Sequence, residues 1–141
     1  MKILVAVDGS KSSLNAVKYA AKLARGLRTQ DRITLINVHD DHGLRHAQKF
    51  VGKSEIDDYL RAESDEDLKV ARKFLNKEDL EHDAIIKQGY VSDEIVKTAN
   101  SGKFDMIVIG SKGRSAVADF LLGSITQKVL AHAKPPVVVV K

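Results

Sequence analysis

The sequence predicts an α/β fold, a single doubly wound five-stranded parallel sheet with helices on both faces. Two observations carry that expectation. Short runs rich in β-branched residues alternate with longer stretches of helical period along the chain. Several of the short runs are apolar almost without interruption, as parallel strands covered on both faces must be. At 141 residues, 43% hydrophobic and 30% charged, the chain suffices for the core of one globular domain and is short for two, so residues 1–141 are read as a single domain.

Lys2 to Asp8 (KILVAVD) reads as the first strand. Ser10 or Ser12 can cap the helix that follows, whose Leu14, Val17, Ala21 and Ala24 repeat at helical spacing. Lys11, Lys18, Lys22 and Arg25 on the adjoining side form its solvated face. Arg32 to His39 (RITLINVH) is the second strand, and the polar link from Asp40 to Lys53 has no clear period, so it reads as a loop or a short extension of the next helix. Ser54 to Asp79 makes a second helix with Ile56, Leu60, Leu68, Ala71 and Leu75 on one stripe. Asp83 to Gln88 (DAIIKQ) follows as a strand, then a helix from about Ser92 to Asn100, with Ser92 as its cap and Asp93 and Glu94 favourable in its first turn. Asp105 to Gly110 (DMIVIG) is the fourth strand. The last helix begins after Gly123, turns Ile125, Val129 and Leu130 inward and stops before Pro135, and Pro136 to Val140 closes the sheet.

Composition removes several kinds of chemistry. The chain has no cysteine, which excludes disulfides, thiolate metal sites and cysteine nucleophiles. Its net charge of +4 comes from scattered basic residues, so no nucleic-acid partner is expected. No apolar run approaches the roughly 20 residues of a membrane span, and MKILVAVDGS reads as a strand and turn, not a signal peptide, so the expected location is the cytoplasm. There is no GxxxxGK[ST] loop, so Lys112 is not a phosphate-loop lysine of that type, and no GxGxxG follows the first strand. A phosphoacceptor receiver is excluded because the third strand ends in Lys87-Gln88-Gly89 where that fold needs an aspartate. His39, Asp40, Asp41, His42 and His46 form a cluster with metal-ligand chemistry, but on a polar loop they read as solvent-exposed, and His82 and His132 fall at expected helix ends. Ser10, Ser111 and Ser124 have no evident His-acid partners, so nucleophilic catalysis is unsupported.

A sheet of this kind binds ligands beyond the carboxyl ends of its strands, where the winding reverses. Those ends are Asp8-Gly9-Ser10 and Gly110-Ser111-Lys112-Gly113. If the two strands are neighbours, Gly110 and Gly113 let backbone approach a ligand and expose N–H groups to an anion. Gly123-Ser124 then adds the free N–H groups and positive dipole end of the last helix, so phosphate is the natural occupant. Asp8 repels phosphate directly; it can accept from ribose hydroxyls or hold a divalent cation that bridges to phosphate oxygens. The same glycines also suit a tight turn and close packing, with Asp8 as a cap.

With these motifs assembled, the sequence resembles the universal stress protein family in its ATP-binding branch. The resemblance rests on VAVDGS, INVH, QGYVSDEI, IVIGSKGRS, LLGSITQKVL and PPVVVV, and on the spacing Gly110-x-x-Gly113, nine residues, Gly123-Ser124. It implies a Rossmann-like sheet of strand order 3-2-1-4-5 and ATP with Mg2+ or Mn2+ as cofactors. It also implies an adenine site at Ala6, Val7 and Val38, largely through backbone groups, and places Asp8 by the ribose or the metal. Gly110, Ser111, Lys112, Gly113 and Arg114 would line the ribose and phosphates, and Gly123, Ser124, Ile125 and Thr126 would complete the phosphate site. A homodimer through Val137 to Val140 is implied too, which would cover an apolar edge. Two departures stand out: Asp119 lies in a segment often basic in the family, and Asp40 to Lys53 is the least family-like stretch. The expected function is an adenine-nucleotide-binding protein with a stress-linked or regulatory role. The alternatives are a slow ATP hydrolase, with no general base assignable beyond Asp8, and a dimeric partner-binding module whose glycine loop is structural only.

Overall fold

The computed structural model describes residues 1–27, 32–42, 50–114 and 122–141. Along them run β1 (Lys2–Ala6), α1 (Lys11–Gly26), β2 (Arg32–His39), α2 (Lys53–Lys77), β3 (His82–Gln88), α3 (Val91–Ser101), β4 (Met106–Gly110), α4 (Ser124–His132) and β5 (Val137–Val140). The five strands form one sheet of order β3-β2-β1-β4-β5, and every pairing is parallel. β1 is central, with Val5 level with Leu35 on one side and Val108 on the other. Its five residues are apolar except Lys2, since a central parallel strand meets helices on both faces.

Alternation along β1 divides the core. Ile3, Val5 and Val7 point to the face covered by α1 and α2, where they pack with Val17, Ala20, Leu68 and Leu75. Leu4 and Ala6 point to the opposite face and pack with Ile95 and Ala99 of α3 and Val129 of α4. Ile3, Leu4, Leu35, Leu68 and Leu75 are fully buried, each side chain contributing roughly 1.5–3 kcal/mol.

The elements match the sequence reading closely, with local corrections. Ser10 caps α1: its side chain accepts from the Ser13 N–H at 3.1 Å. Ser92 does not cap α3. Gly89, at φ +140°, turns the chain early, so Tyr90 takes the cap position and Ser92 is buried within the first turn. Leu130 faces outward at 42% exposure because Thr126 and Val129 occupy the inner side of α4. His82 opens β3 instead of ending a helix. His46 and Asp119, and much of the link from Asp40 to Lys53, lie outside the described residues.

β1, β2 and β3 are laid down outward on one side, and the chain then returns to place β4 on the other side of β1. The winding reverses between β1 and β4, and a crevice opens beyond their carboxyl ends.

Candidate functional site

A cavity of about 600 Å³ lies at this reversal. One half is apolar, lined by Ala6, Ile36, Val38, Val91, Ile95, Ile109, Leu122 and Ile125. The other half is polar: Asp8, the glycine loop, the start of α4, and His39, Asp40, Glu63 and Asp67. Of the residues expected at a site, Ala6, Val7, Asp8, Val38, Gly110, Lys112, Gly113, Arg114, Gly123, Ser124, Ile125 and Thr126 all line it. Ser111 does not. Its N–H donates to Val140 O and its carbonyl accepts from the Gly123 N–H, both at 2.8 Å, so it ties β4 to β5 and to the start of α4.

The glycines divide by role. A Cβ on Gly110 would come within 2.5 Å of Ser12 Oγ and 2.8 Å of Ser12 backbone, so Gly110 is glycine because α1 packs on it. This packing is a reason for glycine besides the approach of a ligand to the cavity that Gly110 lines. Among the described residues, a Cβ on Gly113 would meet only Asp8 Oδ2, at 3.1 Å, and the first contact for one on Gly123 is at 3.5 Å. Among the described residues, no backbone atom lies close enough to demand glycine at either position. Gly123 is also the cap position of α4 and brings no side-chain cap, which leaves the N–H groups of the first turn for whatever occupies the crevice.

Asp8 is oriented by its own turn. Its Oδ1 accepts from the Ser10 N–H at 2.9 Å, and its Oδ2 lies on the Gly113 side. An oxygen ligand of this kind suits a hard divalent cation. Val7 donates to Ile36 O at 2.9 Å and accepts from Asn37 Nδ2 at 2.8 Å, while its side chain packs toward α1 and α2. It offers a ligand a wall instead of an unused donor. Thr126 donates to Gly110 O at 2.8 Å and anchors α4 to the end of β4.

The α2 side of the crevice is what the sequence reading missed. Asp67 is 8% exposed, pairs with Arg114 and accepts from Asn37 Nδ2 at 3.2 Å. His39, expected to be exposed, is buried at the end of β2; its Nε2 is hydrogen-bonded to Ser64 Oγ, and its Nδ1 lies 3.8 Å from Glu63 Oε2. Burial pushes this imidazole below its ordinary value; Glu63 pulls it up and Arg114 pushes it down. A signal was available. Ser64 and Asp67 fall on the buried stripe of α2 between Leu60 and Ala71, where helical period calls for apolar residues.

Asp40, Asp41 and His42 bring one potential ligand atom each within 4.8 Å of one another at the rim. His42 Nδ1 is 2.6 Å from Asp40 Oδ1, and its ring stacks on Tyr90 at 3.8 Å. The backbone N–H of His42, then its ring, hold the Asp40 carboxyl below its ordinary range.

The chain matches the universal stress protein family profile over residues 1–141. It is 32% identical over 141 residues to a universal stress protein of Methanocaldococcus jannaschii, spanning 99% of this chain and 81% of that one. A solved structure of another protein of that organism superposes with a TM-score of 0.86 at 28% identity, covering 99% of this chain and 94% of the other. Two more distant solved members share the fold. One is from Arabidopsis thaliana with AMP bound, at TM-score 0.72 and 20% identity, covering 100% of this chain and 91% of that one. The other is a complex with cAMP, at 0.69 and 22%, covering 100% and 96%. By profile, by identity and by fold, the chain belongs to the universal stress protein family.

Proposed function

We propose that this protein binds an adenine nucleotide, ATP with Mg2+ or Mn2+, and acts as a stress-linked regulatory binding protein in the cytoplasm. The observation that carries the reading is the two-sided crevice at the switch point, apolar around Val38 and Ile95 and, where Gly113 meets the start of α4, bordered by the first-turn N–H groups of a helix without a side-chain cap. The apolar half suits a purine and the donor half suits phosphate. AMP and cAMP in two solved relatives support the ligand class.

Ala6, Val7 and Val38 wall the base. Asp8 faces the ribose or, through Oδ2, a cation whose charge offsets that of the phosphates. Lys112 and Arg114 are the lysine and the arginine among the described lining residues, and Ser124, Ile125 and Thr126 bring helix-start N–H groups. Asp8 is the general base the sequence offered, and any hydrolysis is slow in this reading; turnover on the order of 1 to 100 per second would contradict it. No helix among the described residues is long and apolar enough to cross a membrane. A homodimer through the edge strand β5 completes the reading.

The test is nucleotide extracted from purified protein, followed by calorimetric titration with ATP and Mg2+. Gly113→Val and Gly123→Val are expected to weaken ATP by roughly a hundredfold or more, with the circular dichroism spectrum and Tm close to wild type, because each puts a side chain where ligand should sit. A folded double variant that keeps its affinity removes the site assignment.

A further inference from the structure

Among the described residues, the lining of the crevice is unbalanced for a polyphosphate. Asp8, Asp40, Glu63 and Asp67 contribute carboxylates, against Lys112 and Arg114. Arg114 is moreover spoken for. Its guanidinium sits on Asp67 Oδ1, and the pair lies across the β1–α1 turn directly over Gly9. A Cβ on Gly9 would come within 2.8 Å of Arg114 Nη2 and 2.9 Å of Asp67 Oδ1, and its φ of +81° already disfavours a side chain. Gly9 is therefore the seat of an ion pair linking α2 to the glycine loop.

The two partners are not equivalent. The Asp67 side chain is 9% exposed and that of Arg114 is 60% exposed. Asp67's other oxygen accepts from Asn37, which is itself buried and bonded to Val7 O. Moving the guanidinium to a phosphate would leave a buried carboxylate with, among the described residues, only that neutral donor, which is costly. Competition for Arg114 thus favours Asp67 over an incoming anion.

We infer that Asp67 is a specificity-determining residue of the crevice, which holds Arg114 away from phosphate and so lowers affinity in proportion to phosphate charge. The inference rests on the adenine-nucleotide reading above and deepens it. A nucleoside or monophosphate is little affected. A triphosphate is bound well only when a divalent cation offsets its charge. This also gives α2, which contributes no glycine motif, a part in choosing the ligand.

The experiment compares wild type with Asp67→Asn, which removes the charge and preserves shape and the bond from Asn37. Adenosine, ATP with EDTA, ATP with Mg2+, and inorganic tripolyphosphate are titrated by calorimetry. Asp67→Asn is expected to tighten metal-free ATP and tripolyphosphate by about three- to tenfold. Adenosine should change by less than about twofold, and the ratio between ATP with and without Mg2+ should shrink. Adding Arg114→Gln should abolish the gain, because the released guanidinium supplies it. Unchanged or weaker polyphosphate binding by Asp67→Asn overturns the inference, as does a gain that survives Arg114→Gln. Should Asp67→Asn fail to fold, Asp67→Ala releases Arg114 equally and is read the same way. A wild type that ignores adenosine and ATP defeats the adenine reading. Tripolyphosphate then decides the inference separately, since no gain for it in Asp67→Asn overturns that too.

Discussion

At the scale of single residues, glycines with one appearance in the sequence do three different things. Gly110 accommodates the first turn of α1, Gly9 accommodates an ion pair and a left-handed backbone, and Gly113 borders open cavity. Gly110→Ala is therefore expected to destabilise the fold by about 2 kcal/mol or more, since the added methyl meets Ser12 backbone as well as its hydroxyl, and the backbone cannot yield as a side-chain tip can. Gly113→Ala should cost little stability. Thermal denaturation of the two variants side by side checks this, and equal losses would refute it. The spacing of these glycines was legible in the sequence, but their division of labour was not, because what a missing Cβ would strike is decided by a helix about a hundred residues away in the chain.

At the scale of elements, β2 and α2 are joined at the crevice by polar groups on an otherwise apolar interface. His39 ends β2 and bonds Ser64 on α2, and burial lowers its pKa from 6.5. The unfolded chain then takes up the proton first as pH falls, so stability is full above 6.5 and is lost as pH falls through that value toward the lowered folded one. Tm should drop as pH falls below 6.5, and His39→Gln should shrink that drop whatever it does to Tm at neutral pH. A variant with an undiminished drop would assign the acid sensitivity elsewhere. The stripe of Ile56, Leu60, Leu68, Ala71 and Leu75 located α2 correctly from sequence, and all five are buried. The same stripe carries Ser64 and Asp67, whose burial becomes intelligible only once Asn37, His39 and Arg114 are seen to face them.

At the scale of the whole molecule, β5 is an edge strand, paired with β4 on one side, and its four valines are only half-buried. The proposed dimer would cover them. Val139→Lys is expected to convert the protein to monomer in sedimentation velocity while leaving adenine-nucleotide affinity within about twofold. A wild type that sediments as a monomer at all concentrations would refute the dimer. The sequence by itself determined the alternation of strands and helices, the parallel sheet, and the place of the crevice, because hydrophobic period and chain connectivity are local properties governed by general packing rules. The tertiary structure alone decided that Arg114 is held by Asp67 and that Gly110 serves α1. It also decided that His39 is buried. Each of these depends on which side chains meet across elements far apart in the chain, and no local pattern encodes such a meeting.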